Sequence, residues 1–113
     1  MGMYYFVDDV LPYGVQSIMA DIFRVLWSDK VSKQLEGLPN QIVRKFYAWV
    51  SVVKLSGIRE TRKASGFHDE PLRGDQKGQR SIRLNKAYRA IYVERHDGTL
   101  EFIEVIEVNK HEY

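Results

Sequence analysis

The segment GQRSIRL (residues 78–84) is followed by YRAIYV (residues 88–93), and these two segments decide the fold. In the first segment arginines alternate with aliphatic residues, which is typical of a β-strand with one apolar and one cationic face. An Asp97-Gly98 turn then separates the second segment from an apolar run at residues 100–108, so these two strands form a hairpin. The last third of the chain is therefore predicted to be a three-stranded antiparallel sheet.

One strand and two helices are predicted before this sheet. Residues 22–27 (IFRVLW) are rich in β-forming side chains and predict a first strand. Ser28 is suited to cap a short helix that ends near Gly37, and a longer helix with apolar residues at helical spacing ends at Gly57. The order β-α-α-β-β-β predicts an α+β fold in which both helices pack on one face of an antiparallel sheet. Trp49, on the longer helix, is expected in the core.

Length and composition indicate an ordinary single domain. The chain has 113 residues, 44% of them hydrophobic and 28% charged, and no cysteine, which excludes disulfides, thiol catalysis and cysteine-bound zinc. Residues 1–20 are expected to be an N-terminal extension without an assigned role, and residues 21–113 the folded domain. Asp8 and Asp9 stand where a secretory signal would be apolar, and no apolar run approaches the ~20 residues of a membrane span. A cytoplasmic protein with no membrane partner is expected.

The positive charge is concentrated in the middle of the chain. The net charge is only +2, but the stretch from Lys54 to Arg95 holds eleven basic and five acidic side chains, a net +6. Residues 57–77 within this stretch lack periodicity and are expected to be a long loop, and long irregular loops are often functional. Such a basic block suits a polyanion, because each neutralised phosphate releases counterions. The alternative is a solvated loop with ordinary surface lysines and arginines.

Metal-free chemistry on RNA is the reaction that the remaining residues favour. His68, His96 and His111 are far apart in the sequence and do not have the spacing of a helical metal site, so no metal and no cofactor is expected. Cleavage of RNA without metal needs a base for the 2′-OH proton, an acid for the leaving 5′-oxygen and cations for the phosphate charge.

Two histidines are candidates for the proton transfers. His111 has a cationic neighbour, Lys110, and an imidazole titrates near neutral pH; the alternative is a frayed terminal histidine. His68 lies in the basic loop and is the natural second proton carrier; the alternative is a loop histidine bonded to Asp69. His96 abuts the hairpin turn and is expected to be exposed without a role.

Two arginines are candidates for holding the phosphate. Arg83 and Arg89 lie on adjacent predicted strands, where their planar, permanently charged forks can clamp one phosphate. Arginines that face solvent from a strand are common, so neither residue alone is specific. Tyr113 can stack on a base or hold a phosphate, or it is simply a terminal aromatic that rests on the sheet.

Three segments together resemble the RelE/HigB-type toxins of bacterial toxin–antitoxin modules: PLRGD (residues 71–75), GQRSIRL (residues 78–84) and YRAIY (residues 88–92). The resemblance covers about residues 22–113. It implies a RelE-like fold and a small endoribonuclease, an mRNA interferase that enters the ribosomal A site, cuts mRNA and is neutralised by a cognate antitoxin. The same superfamily includes ParE-type toxins, which act on DNA gyrase.

The resemblance also implies roles for individual residues. His111 and Tyr113 match the C-terminal tail in which the family places catalytic residues, Arg89 matches its Tyr-Arg step, and His68 falls in the loop where HigB-like members keep a histidine. The HigB-like tail typically reads Asp-Tyr-His, whereas this chain has His-Glu-Tyr at residues 111–113.

Basic residues outside the histidines are the remaining candidates. Some RelE members use Lys and Arg for proton transfer and charge stabilisation, which leaves Lys77, Arg80 and Lys110 as substitutes for the histidines. Arg73, Lys77, Arg80, Arg83 and Lys110 are expected to bind RNA phosphates. Three alternatives to an active mRNA interferase stand: a gyrase-inhibiting relative, an RNA-binding module without catalysis, and a degenerate toxin that has lost activity.

Overall fold

The computed structural model describes residues 21–110, in which five strands form one sheet and three α-helices accompany it. The strands are β1 (Val25–Trp27), β2 (Glu70–Pro71), β3 (Arg80–Arg83), β4 (Tyr88–Asp97) and β5 (Leu100–Lys110). The helices are α1 (Asp29–Glu36), α2 (Asn40–Ser56) and α3 (Ile58–Arg62). The predicted α+β class is confirmed. Residues 1–20 and 111–113, including the expected N-terminal extension, lie outside this description.

The sheet has the order β1-β5-β4-β3-β2, and its pairings are antiparallel except the one between β1 and β5. The expectation of an antiparallel sheet is therefore correct for β2 to β5 and wrong for β1, which pairs Val25 with Ile103 in a parallel register. Tight hairpin turns enforce antiparallel pairing only between strands that follow each other. Because α1 and α2 intervene between β1 and the rest of the sheet, β1 is free to run parallel.

The region predicted as one irregular loop, residues 57–77, contains further structure. Helix α3 follows α2 directly, at Gly57, whose φ of +86° changes the direction of the chain. Both carboxylate oxygens of Asp21 accept a hydrogen bond from the backbone N–H of Arg59, each at 3.0 Å. Asp21 therefore caps the N-terminus of α3, although it lies far from α3 in the sequence. A helix of five residues is too short to show a periodicity, so the sequence pattern did not reveal it.

The two predicted helices are confirmed close to their expected bounds. Helix α1 begins after Ser28 and ends before Gly37, although the Ser28 side chain makes no capping hydrogen bond. Helix α2 ends before Gly57, as predicted. The first strand is shorter than residues 22–27, because only Val25–Trp27 pairs with β5. No helix in residues 21–110 is long and apolar enough to cross a membrane.

The core lies between α2 and one face of the sheet. Trp49 is fully buried, as predicted, and its ring centroid lies 5.3 Å from that of Tyr92 on β4 and 6.2 Å from that of Phe46. Ile103 and Val105 of β5 complete the same cluster. Among residues 21–110 the Trp49 indole nitrogen finds no hydrogen-bond partner, so this side chain contributes through its buried apolar surface.

Replacement of Trp49 by alanine should therefore destabilise the fold strongly. A large buried aromatic leaves a cavity, which typically costs ~3–5 kcal/mol of unfolding free energy. Leu55→Ala on the same helix is the matched control, because Leu55 is 83% exposed and should change stability by less than ~0.5 kcal/mol. Urea unfolding followed by circular dichroism measures both. Equal effects of the two substitutions would contradict the placement of Trp49 in the core.

Candidate functional site

Two arginines stand directly opposite each other on the central strands. Arg83 of β3 pairs in register with Arg89 of β4, and the preceding pair, Ile82 with Ala90, is buried in the core beneath the helices. Because side chains alternate along a strand, the two arginines project from the other side of the sheet, which we call the second face. Like charges placed directly opposite destabilise a sheet, so this pair favours an anion between them.

Glu70 is a site residue that the sequence did not reveal. One Arg89 terminal nitrogen (Nη1) lies 3.4 Å from Glu70 Oε1 and 3.4 Å from the hydroxyl of the buried Ser81. Both contacts are long for hydrogen bonds, so Arg89 is near these groups without being tightly held. The Glu70 side chain is 54% exposed, whereas that of Arg89 is 18% exposed. The only sequence signal was the Glu70-Pro71 step beside His68, and it did not show that this segment pairs with β3.

The second face is mixed in charge rather than uniformly cationic. In the β4–β5 register, Arg89 lies opposite Asn109, Ile91 opposite Glu107 and Val93 opposite Glu104. Arg95 on the same strand is bonded to Glu104 at 2.7 Å. The acidic residues come from β5, beyond the basic block that the sequence showed. The positive charge is therefore concentrated at the end of the sheet that carries Arg83 and Arg89.

A buried polar cluster lies behind this end of the sheet. The carboxylate of Asp69, 1% exposed, accepts hydrogen bonds from Arg80 Nε at 2.6 Å and from the Tyr92 hydroxyl. Arg62 of α3 donates through Nε to the Tyr92 hydroxyl at 3.1 Å and pairs with Glu94 at 2.7 Å. Asp69, Tyr92 and their arginine partners thus connect α3, β3 and β4 to the segment that precedes β2.

Burial and hydrogen bonding shift two pKa values in this cluster. Burial, and then the hydrogen bond to Asp69, raise the pKa of the Tyr92 phenol well above its ordinary value, and Arg62 only partly opposes them. Burial lowers the pKa of Arg62, but the hydrogen bonds to Glu94 and Tyr92 outweigh it, so the pKa is raised overall. Both groups therefore keep their protons throughout the physiological range.

His68 is exposed and lies beside the cluster along the chain. It follows a 3₁₀ turn at Ser65–Phe67 and has a φ of +46°, in the left-handed region that few non-glycine residues adopt. The Asp69 carboxylate bonds to Arg80 and Tyr92, and within residues 21–110 no hydrogen bond joins it to the His68 side chain. Backbone of this kind is maintained only when the surrounding structure enforces it, and it is frequent at functional sites.

The other predicted basic residues are distributed around the site. Arg73 and Lys77 are exposed on the turn that surrounds the 3₁₀ segment Gly74–Gln76, and Lys110 is exposed at the end of β5. Arg80 pairs in register with Tyr92, on the helix side of the sheet, so it does not share the second face with Arg83. Within residues 21–110, Arg73, Lys77, Arg83 and Lys110 form no ion pair. Their assigned roles stay predictions.

The C-terminal candidates lie next to the described part of the chain. His111 and Tyr113 are outside residues 21–110, but β5 ends at Lys110 opposite Tyr88, and Asn109 lies opposite Arg89. The last strand therefore leads the chain to the end of the sheet that holds the arginine pair. His96, by contrast, lies seven residues beyond Arg89 along β4, which is about 23 Å at ~3.3 Å per residue. It is exposed, with Nδ1 3.7 Å from Glu101.

No group of three or more acidic or histidine side chains within residues 21–110 is placed to hold a metal ion. The chemical groups that the described residues do bring together are two guanidinium groups and a neighbouring carboxylate, and the exposed imidazole of His68 lies two residues before that carboxylate in the chain. Guanidinium forks bind phosphate oxygens, and a carboxylate or an imidazole can transfer a proton. The arrangement suits phosphoryl chemistry.

Solved structures share this fold, although no protein-family model and no curated protein matches the sequence. The YoeB/ParE toxin from Agrobacterium tumefaciens superposes with a TM-score of 0.61 at 23% identity, over 79% of this chain and 99% of that one. RelE in the archaeal RelE–RelB complex from Pyrococcus horikoshii gives a TM-score of 0.56 at 22% identity, over 78% and 93% of the two chains.

A third solved structure also shares the fold. The heterotetrameric YoeB–YefM toxin–antitoxin complex from Staphylococcus aureus gives a TM-score of 0.56 at 18% identity, over 83% of this chain and all of that one. At these identities the likeness shows the fold. This chain has the RelE-like fold that its sequence segments predicted.

The raised pKa of Tyr92 predicts a stability that falls in alkali. Between the ordinary tyrosine pKa near ~10 and the higher folded-state value, the unfolded chain releases this proton while the folded chain keeps it. The free energy of unfolding of the wild type should therefore fall by about 1 kcal/mol more than that of Tyr92→Phe between pH 10 and pH 11. Urea unfolding at both pH values measures this difference. A stability gap that does not change with pH would contradict it.

Proposed function

We propose that this chain is a ribosome-dependent mRNA interferase of the RelE/ParE superfamily: an endoribonuclease that cuts mRNA in the ribosomal A site without a metal or another cofactor. The observation that carries the proposal is the opposed pair Arg83 and Arg89, with Glu70 beside it, on a fold shared with toxins of toxin–antitoxin modules. Residues 21–113 are proposed to be the toxin domain.

The arginine pair supports phosphate binding. Directly opposite residues of an antiparallel pair have Cα atoms about 4.5–5.5 Å apart, so two guanidinium groups can reach one phosphate between them. Arg83 has no ion-pair partner within residues 21–110, and Arg89 has only the long contact to Glu70. A phosphate bound between the two guanidinium groups would relieve their mutual repulsion and form a charge-assisted hydrogen bond with each of them. Within residues 21–110, no strong salt bridge would have to break first.

The proposed reaction is attack of the 2′-oxygen on the adjacent phosphorus. A bond forms between the 2′-oxygen and phosphorus, and the bond from phosphorus to the 5′-oxygen breaks, which leaves a 2′,3′-cyclic phosphate and a 5′-OH. His111 and His68 are proposed to share the base and acid roles, and Arg83 and Arg89 to neutralise the charge that develops on the phosphate. Tyr113 is proposed to orient or stack the nucleotide.

Glu70 adds a carboxylate to this proposed set. Because Glu70 lies 3.4 Å from a phosphate-binding candidate, Arg89, its carboxylate is near the place that the reacting phosphate would occupy. In that position it can accept the 2′-OH proton or orient the histidine that accepts it. His68 is two residues away from Glu70 on the same segment.

The exposed lysines and arginines around the pair are proposed to bind neighbouring phosphates. Arg73 and Lys77 lie on the turn before β3, and Lys110 ends β5. Contacts of this kind act through charge, without regard to base sequence, and they weaken steeply with salt. Such contacts suit a substrate that is recognised mainly as ribosome-bound RNA.

A cognate antitoxin is the second proposed partner. The Pyrococcus horikoshii and Staphylococcus aureus structures named above are complexes with RelB and YefM, and this chain covers nearly all of each neighbouring toxin chain. A toxin that acts on ribosomes in its own cytoplasm must be inactive until it is released. We expect an acidic antitoxin segment to cover Arg83, Arg89 or the C-terminal residues.

Inhibition of DNA gyrase is the alternative function, and the ParE name of the Agrobacterium structure favours it. The experiment that separates the two is induction of the chain in growing cells, with mRNA 5′-end mapping and a gyrase supercoiling assay. We expect growth arrest with cuts phased to codons, and none with the double variant Arg83→Gln/Arg89→Gln. Loss of supercoiling without mRNA cuts would overturn mRNA cleavage in favour of gyrase.

Removal of the His111 imidazole should abolish toxicity and leave ribosome binding intact. Loss of a general acid or base reduces a rate about 10²–10⁴-fold, enough to turn growth arrest into growth. His96→Ala is the matched control, because His96 is exposed at the other end of β4 and should have no effect. Single-turnover cleavage on programmed ribosomes measures both. If His111→Ala cuts at the wild-type rate, the proton carrier is another group, with Lys77, Lys110 and Glu70 the next candidates.

A further inference from the structure

Asp69 is a buried carboxylate between two exposed neighbours. Its side chain is 1% exposed, whereas His68 and Glu70 on either side face solvent. Burial of a charged carboxylate is unfavourable unless opposite charge and hydrogen bonds replace the lost water. Arg80 Nε at 2.6 Å and the Tyr92 hydroxyl supply both. Asp69 therefore ties its own segment to β3 and β4.

This tie adds to a small number of other anchors: Phe67, the residue before His68, is buried in the core, and the His68 N–H donates to the Ser65 carbonyl at 3.2 Å. Strand β2 consists of Glu70 and Pro71 alone, and beyond its pairing with β3 the segment has the hydrogen bond from the Leu72 N–H to the Gln79 carbonyl, at 2.9 Å. His68 has a left-handed backbone, with a φ of +46°, that is unfavourable for an isolated residue. Two hydrogen bonds to a buried carboxylate one residue later can enforce that conformation.

Arg80 and Arg83 both lie on β3, but their side chains project from opposite faces of the sheet. Arg80 pairs with Tyr92 and its Nε is bonded to Asp69, on the helix side, while Arg83 pairs with Arg89 on the second face. An odd number of residues between two strand positions places their side chains on the same face, and an even number places them on opposite faces. Arg80 and Arg83 are separated by two residues, so they cannot grip the same phosphate.

We propose that Asp69 is a positioning residue: held by Arg80 and Tyr92, it sets His68 and Glu70 beside Arg89 at the phosphate site. The inference rests on the proposed RNA cleavage. It also changes the role expected for Arg80, which acts inside the protein on Asp69 rather than on an RNA phosphate. The charge of Arg80 is neutralised by Asp69, while Arg73 and Lys77 have no ion-pair partner within residues 21–110.

The first test compares Asp69→Asn with Glu94→Gln. Both substitutions replace a carboxylate of the same polar cluster by its amide, but Glu94 bonds to Arg62 and, within residues 21–110, forms no hydrogen bond or ion pair with residues 68–70. We expect Asp69→Asn to slow single-turnover cleavage on programmed ribosomes about 10- to 100-fold, because small displacements of reacting groups are costly. Ribosome affinity should change less than twofold. Glu94→Gln should leave the rate and the affinity unchanged.

Hydrogen exchange provides a readout that does not depend on activity. The Leu72 amide donates to the Gln79 carbonyl next to the proposed tie, so its exchange should become faster in Asp69→Asn and not in Glu94→Gln. Wild-type protection at Leu72 in Asp69→Asn would overturn the positioning role. If Asp69→Asn does not fold, Tyr92→Phe removes one of the two hydrogen bonds, keeps the charge pair and gives the same readouts.

The salt dependence of ribosome binding tests the role of Arg80 separately. A residue that contacts one phosphate contributes about 0.7–0.9 to the slope of log affinity against log salt. Arg73→Gln should lower the slope by that amount, whereas Arg80→Gln should slow cleavage and leave the slope unchanged. An equal loss of slope in Arg80→Gln would show that Arg80 binds phosphate, and the inference would fail.

A double-mutant cycle with Glu70→Gln tests the proposed route. If Asp69 acts through Glu70, Asp69→Asn should cost much less in the Glu70→Gln background than in the wild type. Additive losses would overturn action through Glu70. The wild-type reaction in the same assay separates the two proposals: absence of cleavage defeats the proposed function itself, while cleavage by Asp69→Asn at the wild-type rate defeats only the positioning role.

Discussion

The contact between Trp49 and Tyr92 joins the hydrophobic core to the polar cluster behind the candidate site. The two rings lie 5.3 Å apart, and the Tyr92 hydroxyl reaches beyond the core to Asp69 and Arg62. Packing of α2 on the sheet therefore fixes the position of that hydroxyl. Because Tyr92 cannot move without opening a cavity around Trp49, the buried Asp69 has a rigid hydrogen-bond donor.

Side chains alternate between the two faces of the sheet along β3 and β4. At the candidate site, the polar side chains that bond within the fold therefore lie on one face, and those that a ligand can reach lie on the other. Arg80 and Tyr92 lie on the helix side and are bonded to Asp69, whereas Arg83 and Arg89 lie together on the second face. A shift of the register by one residue would exchange these two sets, and the buried apolar pair Ile82 and Ala90 prevents such a shift. The burial of Ile82 and Ala90 thus also fixes the register in which Arg83 lies opposite Arg89.

The cations of the basic block (residues 54–95) consequently fall into two groups. Four of these cations form ion pairs shorter than 3 Å, Arg62–Glu94, Lys63–Glu60, Arg80–Asp69 and Arg95–Glu104, and a fifth, Arg89, forms a longer one of 3.4 Å with Glu70. Arg73, Lys77 and Arg83 form no ion pair within residues 21–110. A net charge counted along the chain does not distinguish these groups, since the distinction depends on which residues meet in space.

The sequence by itself determined the features that depend on local periodicity: the strands β3 to β5, the helices α1 and α2, the hairpin turn, the burial of Trp49 and the approach of Arg83 to Arg89. Alternation and helical spacing report which side of an element is apolar, and that information is local. The resemblance to the RelE-like fold rested on the same segments. The roles of His111 and Tyr113 stay predictions, because these residues lie outside the described part of the chain.

Only the tertiary structure decided the features that depend on contacts between distant residues. The parallel pairing of β1, the capping of α3 by Asp21 and the burial of Asp69 against Tyr92 join residues 23 or more positions apart. The contact between Glu70 and Arg89 likewise depends on the folded sheet, because strand β3 lies between the strands that carry them. No periodicity identifies such partners, since a short polar segment shows neither of the repeats by which strands and helices are recognised. The conformation of such a segment depends on which side chains and backbone groups of the folded sheet it contacts.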